Sequence, residues 1–153
     1  MSPLFTSLTL GDAVARARNP ALAFESMWRA LWSQQRVPPP LIELCRLRLA
    51  QLHGATPELE VENPAVKVTH TRRESVLRGR FATDGQFAPG EVAVLSLAEV
   101  YAQGPAAITD AMAGEVKAVY GDAGLVVLIE ALGFIDGRIR MARLVSALAR
   151  TGA

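Results

Sequence analysis

Four side chains in the first half of the chain have the types and spacing to move protons: Glu43, His53, Glu58 and Glu62. Glu58 and Glu62 are four residues apart, so a helix would place both carboxyls on one face. Two carboxyls held close in a partly buried pocket force one to keep its proton above the ordinary pKa, and such a pair does general acid-base work. The same spacing also suits two solvated acids in the first turns of a helix, where the dipole favours them. Glu43 sits in "PPLIELCRLRLAQL", an apolar setting in which a carboxylate needs a partner or a use. A salt bridge to Arg46 or Arg48 is one reading, and a pocket acid is the other. His53 ends that run. It reads either as a helix-terminal residue that donates to a carbonyl and complements the dipole, or as part of the acid-base set.

Other reactive types are sparse. Cys45 is the only cysteine, which excludes an intrachain disulfide and a multi-cysteine zinc site. A lone cysteine on an apolar helix reads as an inert core residue. His53, Glu58 and Glu62 are metal-ligand types, but their spacing matches no ligand motif, so no metal and no cofactor is expected. His70 lies beside Arg72 and Arg73, either as an anion-binding cluster or as a solvated charged face.

The elements that must position these residues are helical. Asn19-Pro20 opens a helix through "ALAFESMWRALWSQQ", with Phe24, Met27, Trp28, Leu31 and Trp32 on one face as core or subunit contact. "VPPP" breaks the chain, and a second helix runs from about Pro40 to His53, stopped by Gly54. Thr56 is a candidate cap with Pro57 at the first helical position, and Asn63-Pro64 interrupts. "HTRRESVLRGR" is a candidate helix and "FATDGQFAPG" a loop. Three further helices follow: "GEVAVLSLAEVYAQ", "GPAAITDAMAGEVKAVYG", and a long last one with Gly133 or Gly137 as a candidate break. No alternating strand pattern occurs. The class is all-α, one domain, a bundle of six to eight helices.

Composition narrows the function classes. Half of the 153 residues are hydrophobic and 20% are charged, so the chain is globular rather than disordered. Sixteen basic and 15 acidic residues balance to +1, which offers no nucleic-acid footprint. The start "MSPLFTSLTL" lacks the basic and apolar regions of a signal peptide. The run "GLVVLIEALGFI" is too short to span a membrane and carries Glu130. A cytoplasmic protein is expected. The high apolar fraction suggests surface buried between subunits.

The stretch "LIELCRLRLAQLHGATPELEVE" resembles the core signature of the carboxymuconolactone decarboxylase superfamily, which includes the alkylhydroperoxidase D-like proteins. "FAPGEVAVLSLAEVYAQGPAAITDAMAGEVKAVYGDAGLVVLIEALGFIDGRIRMARL" resembles that family's second half, so the likeness covers roughly residues 20 to 148. The peroxidase branch has a Glu, a Cys-x-x-Cys twelve residues on, and a His four further. Glu43 matches the first, but Ala55, Glu58 and Glu62 stand at the other three positions. The decarboxylase branch has Gly-Arg-x-x-Glu-Leu and a His eight residues after the Gly. Gly54, Glu58 and Leu59 match, and Ala55 and Glu62 do not. Arg140 matches the Arg of the family's closing Asn-Arg motif, with Ile139 in place of the Asn.

The resemblance implies a helical bundle that assembles as a homo-oligomer, a trimer or hexamer. Thiol peroxidase chemistry needs an attacking thiolate and a resolving thiol, and Ala55 and Glu58 supply neither. The expectation is a divergent relative that binds a small ligand or acts as a non-catalytic oligomeric partner. The alternatives are a cofactor-free decarboxylase or lyase, with Glu43 and Glu58 as its acid-base pair and Arg140 holding a substrate carboxylate, and a residual antioxidant role. A small carboxylic acid is the expected ligand.

Overall fold

A computed structural model describes residues 9–151; the first residues of the "MSPLFTSLTL" stretch lie outside them. Among the described residues the chain is all-α: α1 (Leu10–Ala15), α2 (Asn19–Ser33), α3 (Pro39–Leu52), α4 (Thr56–Glu60), α5 (His70–Leu77), α6 (Pro89–Gln103), a 3₁₀ turn (Pro105–Ala107) and α7 (Asp110–Thr151).

Helix α3 is the centre. Prolines at its first two positions start it, and nine of its 14 residues are buried, on every side of the helix. It packs against α4, α5, α6 and α7. Leu41, Leu44 and Leu49 of α3 meet Val94, Leu95 and Leu97 of α6 and Leu128, Leu132, Ile135 and Ile139 of α7 in one core. Each such side chain contributes about 1.5–3 kcal/mol relative to leaving it exposed. Gln34 fastens the approach to α3. Its Nε2 donates to the Val37 carbonyl at 2.6 Å, and its Oε1 accepts from the Arg36 and Val37 N–H groups.

The aromatic face of α2 is spent within the chain. Phe24 packs on Phe134 at 4.9 Å between ring centres, and Trp28 meets Trp32 edge-on at 5.0 Å. Helix α6 begins where Pro89 fits the first turn and the Glu91 carboxylate accepts the Ala88 N–H at 3.0 Å.

Three sequence expectations need correction, and one helix has no counterpart among them. Helix α1 is absent from the periodicity, because six residues are too few to show a face. Its signal is the Thr9-x-x-Asp12 capping box, in which Thr9 Oγ1 accepts from the Asp12 N–H and Asp12 accepts from the Thr9 N–H, each at 3.1 Å. Thr56 is the first residue of α4 rather than its cap, which is Ala55. The helix expected from Gly104 starts only at Asp110, with Thr109 Oγ1 accepting from the Met112 N–H. The long last helix does not break at Gly133 or Gly137. Its expected boundary with the helix before it does hold: the two meet at a kink at Gly121, the sole non-helical residue within α7, at φ 72° and ψ 178°. Continuous through Gly133 and Gly137, α7 is long and apolar enough, by length and composition, to cross a membrane, although one of its faces packs in the core.

Candidate functional site

Arg46 organises the acidic patch that follows α3. It is fully buried, and its guanidinium spends its donors on four oxygens. Nε donates to Glu43 Oε2 at 2.9 Å and Nη2 to Glu43 Oε1 at 2.7 Å, a bidentate pair across one turn of α3. Nη1 donates to the Glu58 carbonyl at 2.7 Å, and Nη2 also reaches the Val61 carbonyl at 3.1 Å. Those carbonyls end α4, a helix too short to satisfy them itself. The Glu58 carboxylate lies 3.6 Å from Arg46 Nη1 and takes Arg138 Nε at 3.1 Å and Arg138 Nη2 at 3.4 Å. Asn63 Nδ2 donates to Glu43 Oε2 at 3.1 Å. Arg138 lies flat over the Trp28 ring, 4.2 Å from its centre. Two carboxylates and two guanidiniums thus close a charge-balanced cluster between α2, α3, α4 and α7.

This geometry sorts the expected site residues. Glu43 is buried, 5% exposed, and its partner is Arg46; Arg48 pairs instead with Glu99 of α6, Nε to Oε1 at 2.7 Å. Glu58 is buried as well, so it is not a solvated acid of a helix start. Glu62 does not share its face. Helix α4 stops at Glu60, Val61 is extended at φ −67° and ψ 118°, and Glu62 is exposed, lining the open groove that Glu43 also lines. The pair expected to share a proton is therefore apart, and both oxygens of Glu43 and of Glu58 accept from guanidinium groups.

His53 caps α3 as the sequence suggests, but its ring is bonded to a carboxylate rather than a carbonyl. His53 Nε2 lies 2.7 Å from Asp136 Oδ1, and Asp136 Oδ2 accepts from Arg140 Nε at 2.8 Å. Arg140 is thus tied to Asp136 on the outer face of α7 and lines none of the clefts described here, against its expected place beside a substrate. Among the described residues no hydroxyl or thiol is bonded to His53. Of the two readings of His70, the anion-binding cluster does not form: Arg72 pairs with Glu91 at 2.6 Å over the Phe87 ring, Arg73 donates to the Leu59 carbonyl, and His70 is exposed, 3.9 Å from Glu74. Cys45 is fully buried, and burial pushes its thiol up to about 12. No three His, Cys, Asp or Glu side chains group to hold a metal ion among the described residues.

Two clefts flank the cluster. Glu43 lines the floor of one, an open groove with Leu47, Leu59, Asn63, Lys67 and Arg73 on its walls. The other, about 140 Å³, lies between the Gly54–Pro57 turn and the end of α7, with Arg143, Ser146 and Arg150 on one wall and Glu58 opposite. Arg143 and Arg150 have no acidic partner among the described residues. Neither was singled out from sequence; the signal was their seven-residue spacing with Ser146 between them, which puts all three on one helical face.

No family model, no curated protein and no solved structure matches the chain.

Proposed function

We propose that the protein is a non-catalytic binder of a small anion, a carboxylate or phosphate, in the cleft between the Gly54–Pro57 turn and the end of α7. One observation carries this reading: Arg143 and Arg150 both line the cleft with no acidic partner among the described residues, while the carboxylate opposite them, Glu58, is occupied by Arg138 and Arg46. Two free guanidiniums and the Ser146 hydroxyl form a donor set for an oxyanion. The cleft volume of about 140 Å³ suits a ligand of a few heavy atoms. The reading keeps the ligand-binding branch of the carboxymuconolactone decarboxylase resemblance, as a relative without its thiols, and moves the ligand from Arg140 to Arg143 and Arg150. It sets aside the acid-base enzyme, because the oxygens of Glu43 and Glu58 face arginines instead of a substrate.

Thermal unfolding with added phosphate or a small carboxylate, against chloride at matched ionic strength, tests this. A ligand that binds only the folded state at 100 times its Kd adds about 2.7 kcal/mol. The melting temperature should rise with the anion in the native protein and stay flat in the Arg143→Gln/Arg150→Gln double variant. An equal rise in both, or none in either, would reject the site.

A further inference from the structure

The outer face of α7 carries a row of exposed apolar side chains: Val126, Ile129, Met141, Leu144 and Leu148. Between them lie Gly133 and Gly137, in the middle of a continuous helix. A glycine there costs about 1 kcal/mol relative to alanine, and nothing inside the chain requires either one. A Cβ at Gly137 would meet nothing within 4 Å, and one at Gly133 would meet only the Tyr101 hydroxyl at an ordinary 3.6 Å. Such a pair has a use where another backbone approaches from outside.

The row also has an internal symmetry. Gly133 and Gly137 lie two residues either side of Ile135, Glu130 and Arg140 five, Val126 and Leu144 nine. When two copies of one helix pack antiparallel about a two-fold axis, each residue meets the one equally far on the other side of the centre. Centred at Ile135, the glycines of one copy face those of the other, Val126 meets Leu144, and Glu130 meets Arg140. Glu130 is exposed and has no basic partner among the described residues, while Arg140 is 66% exposed despite its bond to Asp136. The parallel alternative would set Glu130 against Glu130 and Arg140 against Arg140.

We infer that a second copy of this chain docks on the outer face of α7, antiparallel and nearly aligned, with Gly133 and Gly137 at the closest approach and reciprocal Glu130–Arg140 pairs at either side. The near-aligned crossing is that of antiparallel helix bundles. The glycines bring the backbones close enough for Val126 and Leu144 to bury each other, and the charges set direction and register. The contact uses neither Arg143 nor Arg150, so it stands independently of the anion cleft.

Sedimentation of the full chain at micromolar concentration tests the inference. The native protein should contain the two-fold contact, as a dimer or a larger assembly built on it. Gly137→Leu, which has open space in the single chain, should keep the helical signal and melt cooperatively while weakening association by roughly tenfold or more. Glu130→Arg alone and Arg140→Glu alone should each weaken it, because each sets like charges together twice. Mixing those two variants should restore association, since every facing pair in the mixed dimer is again opposite in sign. A native monomer would overturn the inference, as would association unchanged by Gly137→Leu or no recovery on mixing. Flotation with lipid vesicles by a monomeric chain would overturn it in favour of a membrane surface.

Discussion

Arg46 and Glu43, three residues apart on the most buried helix of the fold, form a two-bond ion pair with contacts of 2.7 and 2.9 Å. The pair explains why so apolar a helix leads into so acidic a turn. A buried guanidinium needs more oxygens than one carboxylate offers, and the turn after α3 returns the Glu58 and Val61 carbonyls and the Glu58 carboxylate to it.

Breaking this cluster on one side should be expensive. Glu43→Gln leaves Arg46 short of charge in a site with almost no water, and a loss of about 3 kcal/mol is expected. Arg46→Met should cost more, since two carboxylates then lose a common partner. Chemical denaturation of both variants checks the order. A near-neutral Glu43→Gln would show that the pair does not hold the fold.

Cys45 should resist chemistry. Its thiol, ordinarily near 9.0, is pushed to about 12 by burial, so no thiolate forms in the folded protein at neutral pH. An aromatic disulfide reagent should label it only as the protein unfolds, and hydroperoxide turnover with a dithiol reductant should be absent. Rapid labelling of the native state would contradict the burial.

The same shift predicts an alkaline instability. Below pH 9 both folded and unfolded chains keep the thiol proton. Above it the unfolded chain releases the proton first, so the folded chain binds more protons and its stability falls as pH rises from 9 towards 12. The slope from this one group approaches about 1.4 kcal/mol per pH unit. The tyrosines Tyr101 and Tyr120, also shifted up mainly by burial, add to the loss. Comparing the native protein with Cys45→Ala isolates the thiol: the variant should lose less stability over this range, and identical slopes would remove the assignment.

Gly121 should not tolerate a side chain. Its φ of 72° with ψ 178° belongs to a region that only glycine enters readily, and the bend there separates a first segment, whose Val119 lies against Gly90 of α6, from the rest of α7. Gly121→Ala should lower stability by about 1–3 kcal/mol. Gly137→Ala, inside a regular stretch of the same helix, should not destabilise the isolated chain. Equal effects at the two positions would mean that the break is not where the backbone turns.

Arg138 should not be replaceable by lysine. It stacks on Trp28 and meets Glu58 with two nitrogens, a geometry that needs a flat, forked cation. Arg138→Lys should cost about 1–2 kcal/mol and shift the tryptophan fluorescence. An unchanged melt and spectrum would reduce the stack to a surface contact.

The class and the main helices can be read from local patterns along the chain. α2, α3, α6 and the two parts of α7 were legible because period, prolines and glycines act within a turn or two of chain, and the apolar run around Glu43 already placed that carboxylate inside, as either a paired acid or a pocket acid. Cys45 could be read as inert because a thiol enclosed by leucines has no base to activate it. Which charges meet depends on how the helices pack. Glu58 and Arg138 are 80 residues apart, and nothing local to either announces the other. Whether Glu58 and Glu62 share a face depended on where α4 ends, and that end is fixed by Arg46 reaching in from α3 to take its carbonyls. The sequence already ends one helix at Gly121 and offers Gly133 and Gly137 as further breaks, yet only the first breaks the helix. Glycine permits a positive φ without imposing it, and only the packing of the chain on either side selects which glycine turns.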